Sequence, residues 1–264
     1  MIKNGLPISL RLIKAMHAIL MQGVRGENRD PGNFRRIQNW IGKPNSTITT
    51  AEFIPPSPDK LMEYLDNLEK YIHFEEKDRL VQLAIIHAQF EIIHPFLDGN
   101  GRIGRLLIPI FLFEKELLPK PLFYISAYFE SDRETYYKKL RAITSSNNWN
   151  DWIEYFLVAL KEQTSKNIKL ANDIIKLHDD LKQKIMEITG SKYAIKILDL
   201  LFEKPVFSTK HFRDSLKAKP PVIKRNLNKL LAGKIIQLTE KGSGTRPSIY
   251  KFSALFKVSD FPLK

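Results

Sequence analysis

The stretch HPFLDGNGRIGR, residues 94–105, groups basic, acidic and amide side chains with glycines on one short segment. Glycines at 99 and 101 let the backbone approach a ligand closely. The stretch then runs into a strongly apolar segment that predicts a helix over 101–117. The free N–H groups at the start of such a helix favour an anion. Arg102 and Arg105 are three residues apart, so both guanidinium groups project from one face of the first turn, an arrangement that suits a polyphosphate.

The same stretch carries one carboxylate and one imidazole. Asp98 beside phosphates is the kind of oxygen ligand that Mg²⁺ takes, with phosphates and water completing its shell. His94 has a near-neutral pKa as a free side chain and could accept the proton of an attacking hydroxyl. Asn100 could add an amide donor. Each residue alone has an ordinary structural interpretation, such as a turn at Asp98-Gly99-Asn100-Gly101, but the full set on one loop indicates a nucleotide site.

This stretch resembles the signature of the Fic family, H-P-F-x-[D/E]-G-N-[G/K]-R-x-x-R, and meets every specified position. Its surroundings are also similar to bacterial Fic proteins. The segments that carry this similarity are Pro31 to Arg35, Gln38 to Gly42, Phe53 to Pro56 and Ser126 to Glu130. The resemblance covers roughly residues 5–165. It implies a mainly α fold, a Fic-type helical bundle with a small β-hairpin flap.

The resemblance implies transfer of AMP from ATP to a Ser, Thr or Tyr hydroxyl of a target protein. It makes His94 the general base and Asp98 the ligand of Mg²⁺. It places Gly99, Asn100 and Gly101 in an anion hole around the α-phosphate, and Arg102 and Arg105 on the β- and γ-phosphates. Family members that phosphorylate their target have Lys where this chain has Gly101, so glycine favours nucleotidyl transfer.

The segment TITTAEFI, residues 47–54, is β-prone and predicts a small hairpin or flap. The resemblance makes Thr49 to Pro56 the family's flap, where the target would dock by adding a strand. The docking residues expected are Thr49, Thr50, Ala51, Glu52, Phe53 and Ile54. Many relatives carry an inhibitory helix, [S/T]-x-x-x-E-[G/N], whose glutamate pairs with the last arginine of the signature. The only spacing match is Ser126 to Glu130, downstream of the loop. We therefore expect an open site, with any inhibitor on a separate chain or in an N-terminal segment missing from this sequence.

Periodicity predicts helices through most of residues 1–185 and a change of pattern at 189–191. Three short helices follow, at 192–202, 209–216 and 221–232, and then two β-prone segments at 235–238 and 248–252 around a turn. That order is typical of a winged helix-turn-helix domain, a common companion of bacterial Fic domains. The expected domains are a catalytic domain over 1–185 and a winged helix-turn-helix domain over 190–264.

The net charge of +13 is concentrated near the end of the chain. Residues 161–264 hold 22 basic and 10 acidic side chains, a net +12, whereas residues 1–160 hold 20 and 19. An anionic partner is therefore expected for the C-terminal domain, with DNA the leading candidate and protein docking the alternative. The candidate DNA contacts are Lys219, Lys224, Arg225, Lys229, Lys241 and Arg246.

Composition narrows the remaining function classes. The chain has no cysteine, which excludes disulfides, a thiolate metal site and a cysteine nucleophile. No run of about 18 apolar residues is present, and no signal peptide is recognisable at the start. We expect a cytoplasmic protein with ATP as substrate, a target protein as partner and a homodimer as one possible assembly. Two other functions stay open. One is a Fic-like regulator whose winged helix binds DNA, and the other is a Fic enzyme that removes AMP or transfers another phosphate-containing group.

Overall fold

The computed structural model describes residues 7–23, 29–244 and 246–259, and within these ranges the protein is mainly helical. Judged by internal contacts, the chain divides into two units, one up to residue 165 and one from residue 166. The division falls inside a single long helix, so the domain bounds expected from the sequence, 1–185 and 190–264, stay a prediction. Within the described ranges, no helix is both long enough and apolar enough to cross a membrane.

The first unit is a bundle of helices around one apolar core. Its helices are α1 (Leu10–Leu20), α2 (Leu61–His73), α3 (Arg79–Ile93), α4 (Asn100–Glu114), α5 (Ser126–Ser131), α6 (Arg133–Ser146) and the first part of α7 (Trp149–Thr189). The core includes Phe90, Phe96, Phe111, Trp152 and Phe156, all of them fully buried. The Trp152 indole N–H donates to the Ala84 carbonyl oxygen at 2.9 Å, so the largest core side chain also has its polar atom satisfied.

Helices α3 and α4 pack against each other and hold the signature loop between them. α3 begins at Asp78, whose carboxylate accepts from the N–H groups of Leu80 and Val81. It ends at His94, which is left-handed (φ 50°). α4 begins after Gly99, also left-handed (φ 83°). Two left-handed residues therefore mark the ends of the loop, and glycine occupies one of them without strain.

The predicted flap strand over residues 47–54 is wrong in its first half. Ile48–Thr50 is a single turn of 3₁₀ helix, because Thr47 and Thr50 form reciprocal hydrogen bonds that close a capping box. Extended pairing is limited to one antiparallel bridge between Ile41 and Phe53. A flap is present, but it consists of a long excursion closed by one bridge rather than a regular hairpin.

The second unit contains the end of α7 and the helices and strands that the sequence predicted, with two additions. Its elements are α8 (Ala194–Glu203), β1 (Val206–Ser208), α9 (Thr209–Leu216), α10 (Pro220–Ala232), β2 (Gln237–Glu240), β3 (Ile249–Lys251) and α11 (Ser253–Ser259). The strands form an antiparallel sheet in the order β1-β3-β2. β1 and α11 were not predicted. A separate core, including Ile197, Phe207, Phe212, Leu230 and Phe252, lies beneath the sheet and helices.

The cap at Asp78 generates a stability prediction. Replacing Asp78 by alanine removes the acceptor for two N–H groups at the start of α3 and should cost about 1 kcal/mol of unfolding free energy. Urea unfolding followed by circular dichroism measures it. Asp66→Ala, which removes an exposed carboxylate from the middle of α2, is the matched control and should cost nothing. An equal loss in both variants would contradict the capping role.

Candidate active site

The Asn100 side chain stabilises the loop between α3 and α4 by bonding to its backbone. Asn100 is buried, its Oδ1 accepts from the Phe96 N–H at 2.8 Å, and its Nδ2 donates to the Phe96 carbonyl oxygen at 2.8 Å. The side-chain amide is thus bonded to the loop's own backbone. One of the two Nδ2 donors is thereby used, and the expected part of Asn100 in an anion hole stays a prediction.

The surroundings of His94 select the tautomer and the neutral state that a general base requires. Its Nδ1 lies 3.2 Å from the Glu91 carbonyl oxygen, an acceptor, so Nδ1 carries the proton and Nε2 keeps a free lone pair. Burial, with a smaller contribution from the nearby Arg35 guanidinium, lowers the pKa of His94 to about 4. The ring is therefore neutral at physiological pH, as a proton acceptor must be.

Arg35 fixes the backbone on which His94 sits. Its guanidinium is buried and donates to the carbonyl oxygens of His94 (3.0 Å), Ile93 (3.4 Å), Ile37 (3.4 Å) and Pro56 (2.5 Å). A cation at the C-terminal end of α3 also complements the helix dipole. Arg35 thereby ties the end of α3 to the end of the flap segment.

Asp98 lies at the other end of the loop, close to two groups that hold its carboxylate. Its Oδ1 accepts from the Gly99 N–H at 2.6 Å and lies 3.8 Å from Nη2 of Arg102. The Gly99 N–H predicted for the anion hole is therefore bonded to Asp98 in this structure. Arg102 also donates to the Met21 sulfur at 3.2 Å, which anchors it against α1.

The residues present fit a magnesium ion held mainly by its substrate. No cluster of three or more His, Asp or Glu side chains able to hold a metal occurs in the part of the chain that the structure describes. Asp98 supplies a single half-exposed carboxylate beside Arg102. That is the usual donor set for Mg²⁺ bound through one protein carboxylate, substrate phosphates and water.

The first turn of α4 offers the anion site itself. Its first backbone hydrogen bond runs from the Ile103 N–H to the Gly99 carbonyl oxygen, so the N–H groups of Asn100, Gly101 and Arg102 precede the hydrogen-bonded ladder. The Arg105 guanidinium forms no ion pair or side-chain hydrogen bond with any residue described. A Cβ atom on Gly101 would lie 3.2 Å from Nη1 of Arg105, so a side chain there would crowd the second arginine.

Glu91 is a buried carboxyl group that the sequence did not single out. Its Oε1 has no hydrogen-bond partner among the described residues, and a Cβ on Gly104 would come within 2.2 Å of it, so only glycine fits there. Burial raises the pKa of Glu91 to about 7, against the opposing effect of Arg105. The Glu91 carboxyl group therefore lies beside Gly101 and Gly104 of α4 and interacts electrostatically with Arg105.

A cavity of about 310 Å³ lies next to Glu91, between the flap and α6. Its walls combine apolar side chains and the Tyr137 ring with several charged groups. The lining residues include Ile41, Phe53, Ile92, Leu140, Lys43 and Arg133. Glu52 of the flap and Arg141 of α6 close it with an ion pair at 2.6 Å. An aromatic and apolar cavity beside a phosphate site suits a nucleoside.

The candidate DNA contacts divide into two groups. Lys219, Lys224, Arg225 and Lys241 are exposed. Lys229 instead donates to the Thr189 carbonyl oxygen at 2.9 Å and so caps the end of α7, while Arg246 pairs with Glu240 at 2.5 Å across the hairpin. These two cations already have protein partners, which sequence alone did not indicate.

Comparison with known proteins identifies the same region. Residues 7–112 match the model of the Fic/DOC family. A probable protein adenylyltransferase of Aquifex aeolicus is 39% identical over 77 residues, 29% of this chain and 24% of that protein. A protein adenylyltransferase of Caenorhabditis elegans is 32% identical over 98 residues, 35% of this chain and 18% of that protein. The matched segments span a quarter or less of these relatives' length.

One solved structure shares the fold over most of the chain. A Fic family protein from Desulfovibrio desulfuricans superposes with a TM-score of 0.54 and 22% identity, covering 92% of this chain and 68% of that one. This likeness shows a common fold. The chemistry is argued from the loop and its neighbours.

The raised pKa of Glu91 generates a prediction about stability and pH. Its folded pKa of about 7 exceeds the ordinary 4.5, so the wild type loses stability as pH rises through that window, because the buried carboxyl must ionise at a cost. Gln does not titrate. Glu91→Gln should therefore match or trail the wild type at pH 5 and gain on it by about 2 kcal/mol at pH 8. Urea unfolding at both pH values tests this, and a difference that does not change with pH would refute it.

Proposed function

We propose that this protein transfers AMP from ATP to a hydroxyl of a target protein. The observation that carries the proposal is the neutral His94, whose Nε2 is free, on the same short loop as the open N-terminus of α4 and two arginines. The match of residues 7–112 to the Fic/DOC family and the similarity of part of the chain to proteins named as protein adenylyltransferases support the proposal.

The chain's own residues account for each part of the reaction. The target hydroxyl oxygen attacks the α-phosphorus of ATP, a new O–P bond forms, and the bond from the α-phosphorus to the bridging oxygen of pyrophosphate breaks. Nε2 of His94 takes the hydroxyl proton. The N–H groups at the start of α4 stabilise charge on the phosphate oxygens, and Arg102 and Arg105 hold the outer phosphates.

Asp98 would hold Mg²⁺, which when bound neutralises charge on the phosphates and orients them. To do so its carboxylate would turn from the Gly99 N–H, and that N–H would become available to the anion. The nucleoside fits the cavity beside Glu91, where Tyr137 and apolar walls suit a base. The flap at Thr49 to Ile54 is the docking edge proposed for the target.

Two other activities are less well supported by the site. Phosphate transfer would require ATP to bind with its γ-phosphate beside His94. Members of the Fic family that phosphorylate their targets have Lys where this chain has Gly101. Removal of AMP depends, in the family, on an inhibitory glutamate paired with the last arginine, and Arg105 has no such pair among the described residues. A purely regulatory role would not require both His94 and Asp98 on this loop.

Labelled ATP distinguishes these activities. With ATP labelled at the α-phosphate, we expect label on protein in a host lysate, and with γ-labelled ATP no label beyond that of the same lysate supplied with His94→Ala, because the lysate's own kinases transfer the γ-phosphate. His94→Ala should reduce labelling by about 10² to 10⁴, because the proton acceptor is lost. His73→Ala, which changes an exposed histidine on α2, should label like the wild type. Transfer of the γ-label that depends on His94 would sink the proposal in favour of phosphorylation.

We also propose that the second unit is a winged helix-turn-helix domain that binds duplex DNA. The order α8-β1-α9-α10-β2-β3 and the antiparallel sheet support it. Helix α10 presents Lys224 and Arg225 to solvent, with Lys219 at its start. Exposed cations at the start of one helix are what phosphate contact in a groove requires.

The two groups of cations provide a matched test of DNA binding. Lys224→Ala with Arg225→Ala should weaken binding to duplex DNA and flatten its dependence on salt, since each lost phosphate contact reduces the slope by about one. Lys229→Ala should leave the slope unchanged and lower stability instead, because it removes the cap on Thr189. Fluorescence anisotropy across a salt series measures both. Binding that is absent or independent of salt would indicate a protein-docking role.

A further inference from the structure

His17, on α1, is fully buried and has both ring nitrogens bonded across the fold. The Gly32 N–H donates to Nδ1 at 2.8 Å. Because Nδ1 accepts, the proton lies on Nε2, which donates to the Asp98 carbonyl oxygen at 2.9 Å. The two bonds select one neutral tautomer and link residue 17 to a loop residue 81 positions away.

The ring also contacts the loop on either side of Asp98. It stacks on Phe96 with ring centroids 3.8 Å apart and planes at 4°. A Cβ atom on Gly99 would lie 3.3 Å from Nε2, so the ring packs closely against this glycine as well. His17 therefore contacts the loop at three places, and all three surround the residue assigned to magnesium.

The peptide between Asp98 and Gly99 is held at both ends. His17 binds its carbonyl oxygen, and the carboxylate of Asp98 accepts its N–H at 2.6 Å. Rotation of this peptide would swing the Asp98 side chain and change the left-handed turn at Gly99 that starts α4. The hydrogen bond from α1 thus holds the peptide that carries the Asp98 side chain and precedes the first turn of α4.

We propose that His17 is a positioning residue whose Nε2–H bond to the Asp98 carbonyl fixes the Asp98–Gly99 peptide, so that the Asp98 carboxylate reaches Mg²⁺ when it turns from the Gly99 N–H on binding of ATP. The proposal rests on the proposed function. It assigns to the loop a partner outside the signature, and it separates this task from the other His17 bond, which ties α1 to Gly32. Partners that orient a metal ligand in this way typically contribute 10- to 100-fold to affinity.

Two amide variants separate the two bonds. In His17→Gln, the side-chain Nε2 can replace the ring Nε2, so the donor to Asp98 is kept and the acceptor for Gly32 is lost. In His17→Asn, Oδ1 can replace Nδ1, so the acceptor for Gly32 is kept and the donor to Asp98 is lost. Both variants lose the stack on Phe96 and each keeps one of the two bonds, so they form a pair that differs in which bond survives and in one methylene group.

Calorimetric titration with α,β-methylene ATP, which cannot be cleaved between these phosphates, measures the consequence. With Mg²⁺ present, we expect His17→Gln to stay within about threefold of the wild type and His17→Asn to bind at least about tenfold more weakly. With EDTA the two should differ little. Equal affinities of the two variants, or a loss that is the same in EDTA, would overturn the proposal.

Hydrogen exchange of the loop peptide in the nucleotide-free protein gives a second, independent measurement. His17→Asn should speed exchange of the Gly99 amide, and His17→Gln should not. If the wild type binds no nucleotide, the proposed function fails while this measurement still decides the role of His17. Should His17→Asn not fold, His17→Met replaces it as an apolar variant without a donor. A folded His17→Gln that loses loop protection would overturn the proposal by itself.

Discussion

The hydrogen-bonded ring between Asn100 and the backbone of Phe96 is the contact on which the rest of the site depends. α3 must end and α4 must begin within six residues, and the chain reverses there through two left-handed residues, His94 and Gly99. Asn100 satisfies the N–H and carbonyl of Phe96 at once, so the backbone of the loop is bonded to a side chain of the loop's own end.

The loop is then supported from behind by buried polar side chains that bond to backbone atoms. Arg35 donates to four carbonyl oxygens, and His17 bonds one carbonyl and one N–H. Among the residues that the structure describes, neither has a carboxylate partner within hydrogen-bond distance. A buried cation without a counter-ion is expensive unless every donor finds an acceptor. The carbonyls at the end of α3 lack helical partners in any case, so Arg35 and these carbonyls satisfy each other.

How much could be predicted from sequence follows from how local each interaction is. The roles of His94, Asp98, Arg102 and Arg105 depend on neighbours within twelve residues, and the sequence predicts them as a set. His17 and Arg35 donate to carbonyl oxygens 81 and 59 residues away. Every residue has a backbone carbonyl, so the sequence does not show which one accepts. The flap strand was wrong because a local capping box at Thr47 outweighed the β propensity of the threonines. Lys229 and Arg246 count as free charges in the composition but have partners in the fold.

Glu91 shows how the site keeps its second arginine available. A fully ionised carboxylate beside Arg105 would compete with phosphate for the guanidinium. Burial under Gly104 raises the pKa of Glu91 to about 7, so much of the population holds a neutral carboxyl that competes weakly. The carbonyl of the same residue accepts from Nδ1 of His94 and fixes the base's tautomer. In the proposed reaction, one buried residue would thus orient the His94 ring through its backbone and leave Arg105 available through its side chain, and Gly104 is the small residue that leaves room for it.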